Sequence, residues 1–190
     1  MTEAGESDEA LIGRYARGDA AAFTLLYRRH EMRIWRYLER NVGNQATADE
    51  LMQEVWFAVA RDAPRYRPTA RFTTWLFTIA RNRMIDALRT SRRQVSLEGI
   101  GYEAEPVVGQ LTTEPSVGPL AAAVVREQAS ALGEALAQLP HEQRDAFLLH
   151  IEGELSVEEV AAITASSFET TKSRLRYART RLRELLSEYS

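Results

Sequence analysis

Apolar positions recur three and four residues apart through most of this chain, a spacing that predicts helices rather than strands. The clearest stripe lies in 71–93, RFTTWLFTIARNRMIDALRTSRR, where Phe72, Leu76, Ile79, Ala80, Met84, Ala87 and Leu88 mark one buried side. A short helix is predicted over 8–17, stopped by Gly18 and Asp19. A long one follows from Ala20 to Val42, with Phe23, Leu26, Tyr27, Ile34, Leu38 and Val42 inward and Gly43 and Asn44 as its stop. The next, ATADELMQEVWFAVARDA, turns Leu51, Val55, Ala58 and Val59 inward, and Pro64 and Pro68 bracket the turn before residue 71. Residues 8–93 therefore predict a four-helix domain.

The periodicity lapses over 94–125, which holds four glutamates (Glu98, Glu103, Glu105, Glu114), four glycines, three prolines and no Lys or Arg. A stretch of that length and composition predicts an acidic flexible linker between two domains. Helical pattern returns over 126–188: VREQASALGEALAQL, a helix begun by Pro140 and closed by Gly153, then LSVEEVAAIT, then a last helix from about Phe168 to Leu186. Ser156 with Glu159, and Ser166 with Glu169, have the spacing of capping boxes at the last two starts. Two short helices about three residues apart predict a helix-turn-helix, and Thr171, Leu175, Ala178, Leu182 and Leu186 give its second helix a buried stripe. The fold class is all-α, in two small helical domains.

The polar faces change the picture more than the apolar ones. Opposite the stripe of 71–93 lie Arg71, Trp75, Thr78, Asn82, Asp86, Arg89 and Arg93, and six arginines against one aspartate leave this segment about +5. A cationic face holding an aromatic ring suits phosphates and unstacked bases; the alternative is a solvated charged face with Trp75 tucked under a neighbour. On the helix before it, Asp49, Glu50, Gln53, Glu54 and Phe57 share the outward side, either as a partner surface or as a solvated face with a stray ring. Residues 166–183 carry six basic groups against one acidic, and Glu169, Lys172, Ser173, Arg176, Thr180 and Arg183 face outward. Few acids lie nearby to pair with them, which favours duplex DNA over a salt-bridged bundle helix.

With 190 residues and 45% hydrophobic content the chain can bury a proper core. A net charge of only -3 hides the two cationic segments. There is no Cys, which removes thiol nucleophiles and Cys-ligated zinc and suits a reducing cytoplasm. No apolar run approaches the length of a membrane span, and the acidic start MTEAGESDEA is unlike a signal peptide, so neither insertion nor export by that route is expected. HEMRI at His30 and HEQRD at His141 lack the second His of a zinc-protease motif, His150 has no ligand-spaced neighbour, and Gly99 and Gly101 do not continue into a phosphate loop. No catalytic site, metal or cofactor is expected.

Four segments in this order, ADELMQEVW, FTTWLFTIARNRMIDALR, LPHEQRDAFLLHIEGELSVEEVA and TKSRLRYARTRLREL, resemble the extracytoplasmic-function (ECF) group of bacterial sigma factors over nearly the whole chain. The resemblance implies a sigma-2-like domain at 8–93, a linker at 94–125 and a sigma-4-like domain at 126–188. It also implies a subunit that directs core RNA polymerase to promoter DNA in the cytoplasm. In such proteins the helix matching 48–60 docks on the clamp helices of the polymerase β′ subunit, which assigns core binding to Asp49, Glu50, Gln53, Glu54 and Phe57. The helix matching 71–93 reads the -10 element as single strand, so Arg71, Trp75, Asn82, Asp86, Arg89 and Arg93 are the candidates there. The last helix reads the -35 element as duplex near the β flap, through Glu169, Thr170, Lys172, Ser173, Arg174 and Arg176. The acidic linker would run toward the RNA exit path. A monomer is expected when the chain is free.

Two departures stand out. Relatives usually carry Asp-Ala-Glu-Asp entering the core-binding helix, whereas this chain has Thr47-Ala48-Asp49-Glu50. Phosphorylation of Thr47 by a Ser/Thr kinase would restore the missing charge at a helix N-terminus; the alternative is a capping box of Thr47 with Glu50 and control by an anti-sigma protein. The helix-turn-helix turn, usually Leu-Gly-Ile-Pro-Val-Gly, is Thr164-Ala165-Ser166-Ser167-Phe168-Glu169, so an Ala left-handed at the Gly position would cost roughly 1 kcal/mol. A stand-alone helix-turn-helix regulator would leave the Trp75 face and the acidic helix unexplained, and a decoy for an anti-sigma protein should have lost its promoter-reading residues.

Overall fold

The computed structural model describes residues 5–98 and 119–187, with the side chains of 92–98 and 119–126 left aside. Among the described residues it is all-α, and several helix starts have a local chemical reason. Ser7 caps α1 (Asp8–Tyr15) by accepting from Ala10 N–H, and Asp19 caps α2 (Ala20–Val42) by accepting from Ala21 and Ala22. Gly43 ends α2 in the left-handed region at φ 68°, which a Cβ would strain, and Asn44 next to it caps α3 (Gln45–Asp62). A 3-10 turn over Ala63–Arg65 leads toward α4 (Phe72–Glu98). The cap of α4 comes from elsewhere in the chain: Phe72 N–H donates to Glu9 Oε1 of α1 at 2.8 Å.

Beyond the undescribed part of the linker come α5 (Pro119–Ala137), α6 (His141–Glu152), α7 (Val157–Thr164) and α8 (Phe168–Leu185). The regular helices thus reach further into the low-complexity stretch than periodicity predicts, to Glu98 from one side and back to Pro119 from the other. Ser156 and Glu159 form the expected capping box on α7. The other two boxes do not form. Ser167, not Ser166, caps α8 by accepting from Thr170 N–H. Asn44 takes the N-cap that the Thr47 and Glu50 pairing needed, so Thr47 lies inside the first turn of α3 with its N–H on Asn44 Oδ1 at 2.9 Å.

Buried side chains from both ends of the chain join in one cluster. Phe72, Leu76, Ala80 and Met84 are buried as predicted, but so is Phe77, whose ring meets Tyr37 edge-on at 5.5 Å. Trp56 likewise turns inward, between Phe23 at 5.6 Å and Tyr27 at 5.0 Å. The C-terminal helices do not stand apart: α6 packs on α2, and α7 on α4.

Candidate polymerase- and DNA-facing surfaces

Six inward residues of α3 (Leu51, Met52, Val55, Trp56, Ala58, Val59) are buried, which fixes the opposite face in solvent. Asp49, Glu50, Gln53 and Glu54 are all exposed there, and the Phe57 ring is 73% exposed. Asp49 is further positioned by Trp35 of α2, whose indole N–H donates to Oδ1 at 2.7 Å. An apolar ring so exposed among carboxylates on a rigid helix has the make-up of a protein docking surface. Thr47 sits half-exposed at the start of the same helix.

Arg71 just before α4, and Asn82, Asp86 and Arg89 on it, are exposed, and Asp86 and Arg89 approach within 3.9 Å. Trp75 is half-buried. It leans on Tyr66 from the preceding loop, with centroids 5.0 Å apart, and on Phe72 at 5.8 Å, and stays partly open to solvent. Arg93 lies outside the described side chains. Arg71 does not project freely: it lies 3.7 Å from Glu159 of α7 and donates to the Glu154 carbonyl at 3.4 Å.

On α8, Glu169, Thr170, Lys172 and Arg176 are exposed and Ser173 is half-exposed, whereas the half-buried Arg174 guanidinium is paired with Glu142 of α6. The turn before the helix places Ala165 at φ 51°, the left-handed value anticipated for the lost glycine. Hydroxyls replace the apolar side chains of the usual turn. Thr164 Oγ1 donates to the Val160 carbonyl and meets Ser166 Oγ at 2.8 Å, and Ser166 Oγ meets the buried Thr171 Oγ1 at 2.8 Å.

Sequence reasoning missed the polar seam between the two helical units. Asp145, 2% exposed, accepts from the hydroxyl of fully buried Tyr37 and from Arg81 Nε, each at 2.8 Å. Glu152, also buried, accepts from Arg36 at 3.0 Å and Arg40 at 2.6 Å, while Arg33 donates to its carbonyl at 2.6 Å. Thr74 donates to Glu159 Oε1 at 2.5 Å, so one carboxylate completes the α7 cap and ties α7 to α4. Burial and the Asp145 carboxylate push the Tyr37 phenol well above its ordinary range, so it stays a donor. A signal was present: Asp145 and Glu152 lie two turns apart on α6, and Arg33, Arg36 and Arg40 share one side of α2.

Among the described residues no helix is long and apolar enough to cross a membrane. Residues 26–94 match the family model for sigma-70 region 2, and residues 129–182 that for sigma-70 region 4. The RNA polymerase sigma factor CarQ of Myxococcus xanthus is 35% identical over 92% of this chain and 95% of its own length. The ECF RNA polymerase sigma factor RpoE of Cereibacter sphaeroides is 33% identical over 89% and 88%. In fold, the chain resembles the sigma factor RpoE of Bartonella quintana, solved in complex with the anti-sigma factor NepR, with a TM-score of 0.71 at 24% identity over 87% of this chain and 96% of that one.

Proposed function

This chain belongs to the extracytoplasmic-function group of the sigma-70 family and is an RNA polymerase sigma factor, and we propose that α3, α4 and α8 divide its contacts among core polymerase, the -10 element and the -35 element. The observation that carries the core-binding part is the α3 face, where Phe57 stands 73% exposed among Asp49, Glu50, Gln53 and Glu54. The ring fills an apolar recess on the polymerase β′ clamp helices and the carboxylates meet cations around it. Trp75, supported from one side by Tyr66, stacks an unpaired base while Asn82, Asp86, Arg89 and Arg93 supply hydrogen bonds and phosphate contacts. Glu169, Thr170, Lys172, Ser173 and Arg176 face the -35 duplex near the β flap, and Arg174 joins them on leaving Glu142.

The seam supports a closed resting form of a cytoplasmic monomer. The two promoter elements lie about 25 base pairs apart, roughly 85 Å at about 3.4 Å per pair. A compact chain of this length has a radius of gyration of only about 16 Å. Both elements cannot be reached while Arg71 and Thr74 are held by Glu159, so the units separate when polymerase and promoter bind. Control falls to an anti-sigma protein that holds the chain, or to a Ser/Thr kinase acting on Thr47.

The test is association with purified bacterial core polymerase. Phe57→Ala weakens binding by tenfold or more, as expected for about 2 kcal/mol at a hot spot; unchanged affinity would move the docking surface off α3. Thr47→Glu binding more tightly than wild type and Thr47→Ala favours the kinase, and equal affinity of the three favours the anti-sigma protein.

A further inference from the structure

Phe168 opens α8 and leaves 42% of its surface in solvent, although a phenyl ring gains nothing from water. Its place is set firmly. Ser167 caps the helix at this point, Ser167 Oγ meets Thr170 Oγ1 at 2.8 Å, and the hydroxyl chain through Ser166 to Thr171 fixes the turn before it. Counting along α8 by helical spacing, Phe168 heads a row with Lys172, Arg176, Arg179 and Arg183, all exposed. Lys172 Nζ lies 6.0 Å from the centroid of the ring.

A row of cations suits a phosphate-lined groove, but the ring has no business with phosphate. The one apolar group that the major groove offers is the C5-methyl of thymine, while O6 and N7 of guanine are its paired acceptors for a cation. We propose that Phe168 and Lys172 are a specificity-determining pair for the upstream duplex element, the ring set against a thymine methyl and the ammonium against a guanine one or two base pairs away. The spacing follows from the 6.0 Å between the two groups, which is under two base-pair steps of about 3.4 Å. The inference rests on α8 reading duplex DNA, and it names two of the bases read.

The experiment is selection by the holoenzyme, this chain with bacterial core polymerase, from duplexes randomised over the upstream element. Wild type enriches a motif with thymine within two positions of guanine. Phe168→Ala loses the thymine preference and keeps the guanine; Lys172→Ala does the reverse. Replacing that thymine by deoxyuridine removes only the methyl and weakens wild type about fourfold, as expected for one buried methyl, with no effect on Phe168→Ala. An enriched motif whose thymine survives in Phe168→Ala, or indifference of wild type to deoxyuridine, overturns the pair alone. A Phe168→Ala chain that loses core affinity while its motif is unchanged also overturns it, and places the ring on polymerase. No enriched motif for wild type overturns the reading of α8 as well.

Discussion

Asp145 has two donors and almost no solvent, so its removal leaves Arg81 with a half-buried charge whose partner is gone. Breaking such a pair from one side costs about 3 kcal/mol or more. Asp145→Ala is therefore expected to lower the urea midpoint strongly, and Tyr37→Phe by less, since it removes one donor from an acceptor that Arg81 still serves. Ala165 is the opposite case. Its Cβ at φ 51° carries about 1 kcal/mol of strain, so Ala165→Gly should raise stability by about that amount in the same urea titration. The strain of Ala165 was anticipated because the resemblance places it where relatives carry the turn glycine. The burden on Asp145 was not, because its donors come from residues 37 and 81.

At the scale of the helix, α1 acts as a clamp. Glu9 caps α4, and Asp8 holds His30 at 2.7 Å and Arg29 at 2.9 Å on α2. Glu9→Ala should destabilise the chain by about 1 kcal/mol through the lost cap, read as a lower melting temperature by circular dichroism. Burial pushes the Asp8 carboxyl up, but the hydrogen bonds and charges of His30 and Arg29 together hold it below its ordinary value. A carboxylate depressed in the folded state stabilises fully above its unfolded pKa and loses that contribution as pH falls through the folded one. Acid should therefore loosen α1 below about pH 4, the ordinary Asp value. Melting temperatures between pH 3 and pH 6 should fall more steeply for wild type than for Asp8→Asn. The stop of α2 at Gly43 and the capping box of Ser156 with Glu159 on α7 were legible in the sequence. Caps with competing neighbours were misplaced by a residue or more, since Ser166 and Ser167, or Asn44 and Thr47, offer the same oxygen chemistry side by side.

For the molecule as a whole, the seam makes the free chain more compact than two domains on a tether. The lack of Cys allows single labels at the exposed residues Thr24 and Thr180. Energy transfer between them should fall when core polymerase binds. An unchanged signal on binding would mean that the closed arrangement is the bound one. Glu152→Ala, which strips a buried counter-ion from Arg36 and Arg40, should raise the radius of gyration of the free chain in small-angle scattering. Glu159 adds an acid dependence of the same sign as Asp8. Burial raises its pKa, but Thr74, the Ser156 N–H and Arg71 together hold it down, so its tie between α4 and α7 is lost as pH falls through that lowered value.

The chain's own order of residues determined the helices, the acidic face of α3 around Phe57 and the cationic faces of α4 and α8, because periodicity and charge along a helix are local properties. It also carried the resemblance that named the family. Tertiary structure alone decided that Phe77 and Trp56 join the core, that Trp75 rests on Tyr66, and that Arg71 and Arg174 are held by Glu159 and Glu142. It alone brought the arginines of α2 and α4 onto the carboxylates of α6. The reason is physical: a charged side chain at helical spacing looks the same in sequence whether it faces water or a counter-ion more than a hundred residues away, and only packing selects between them.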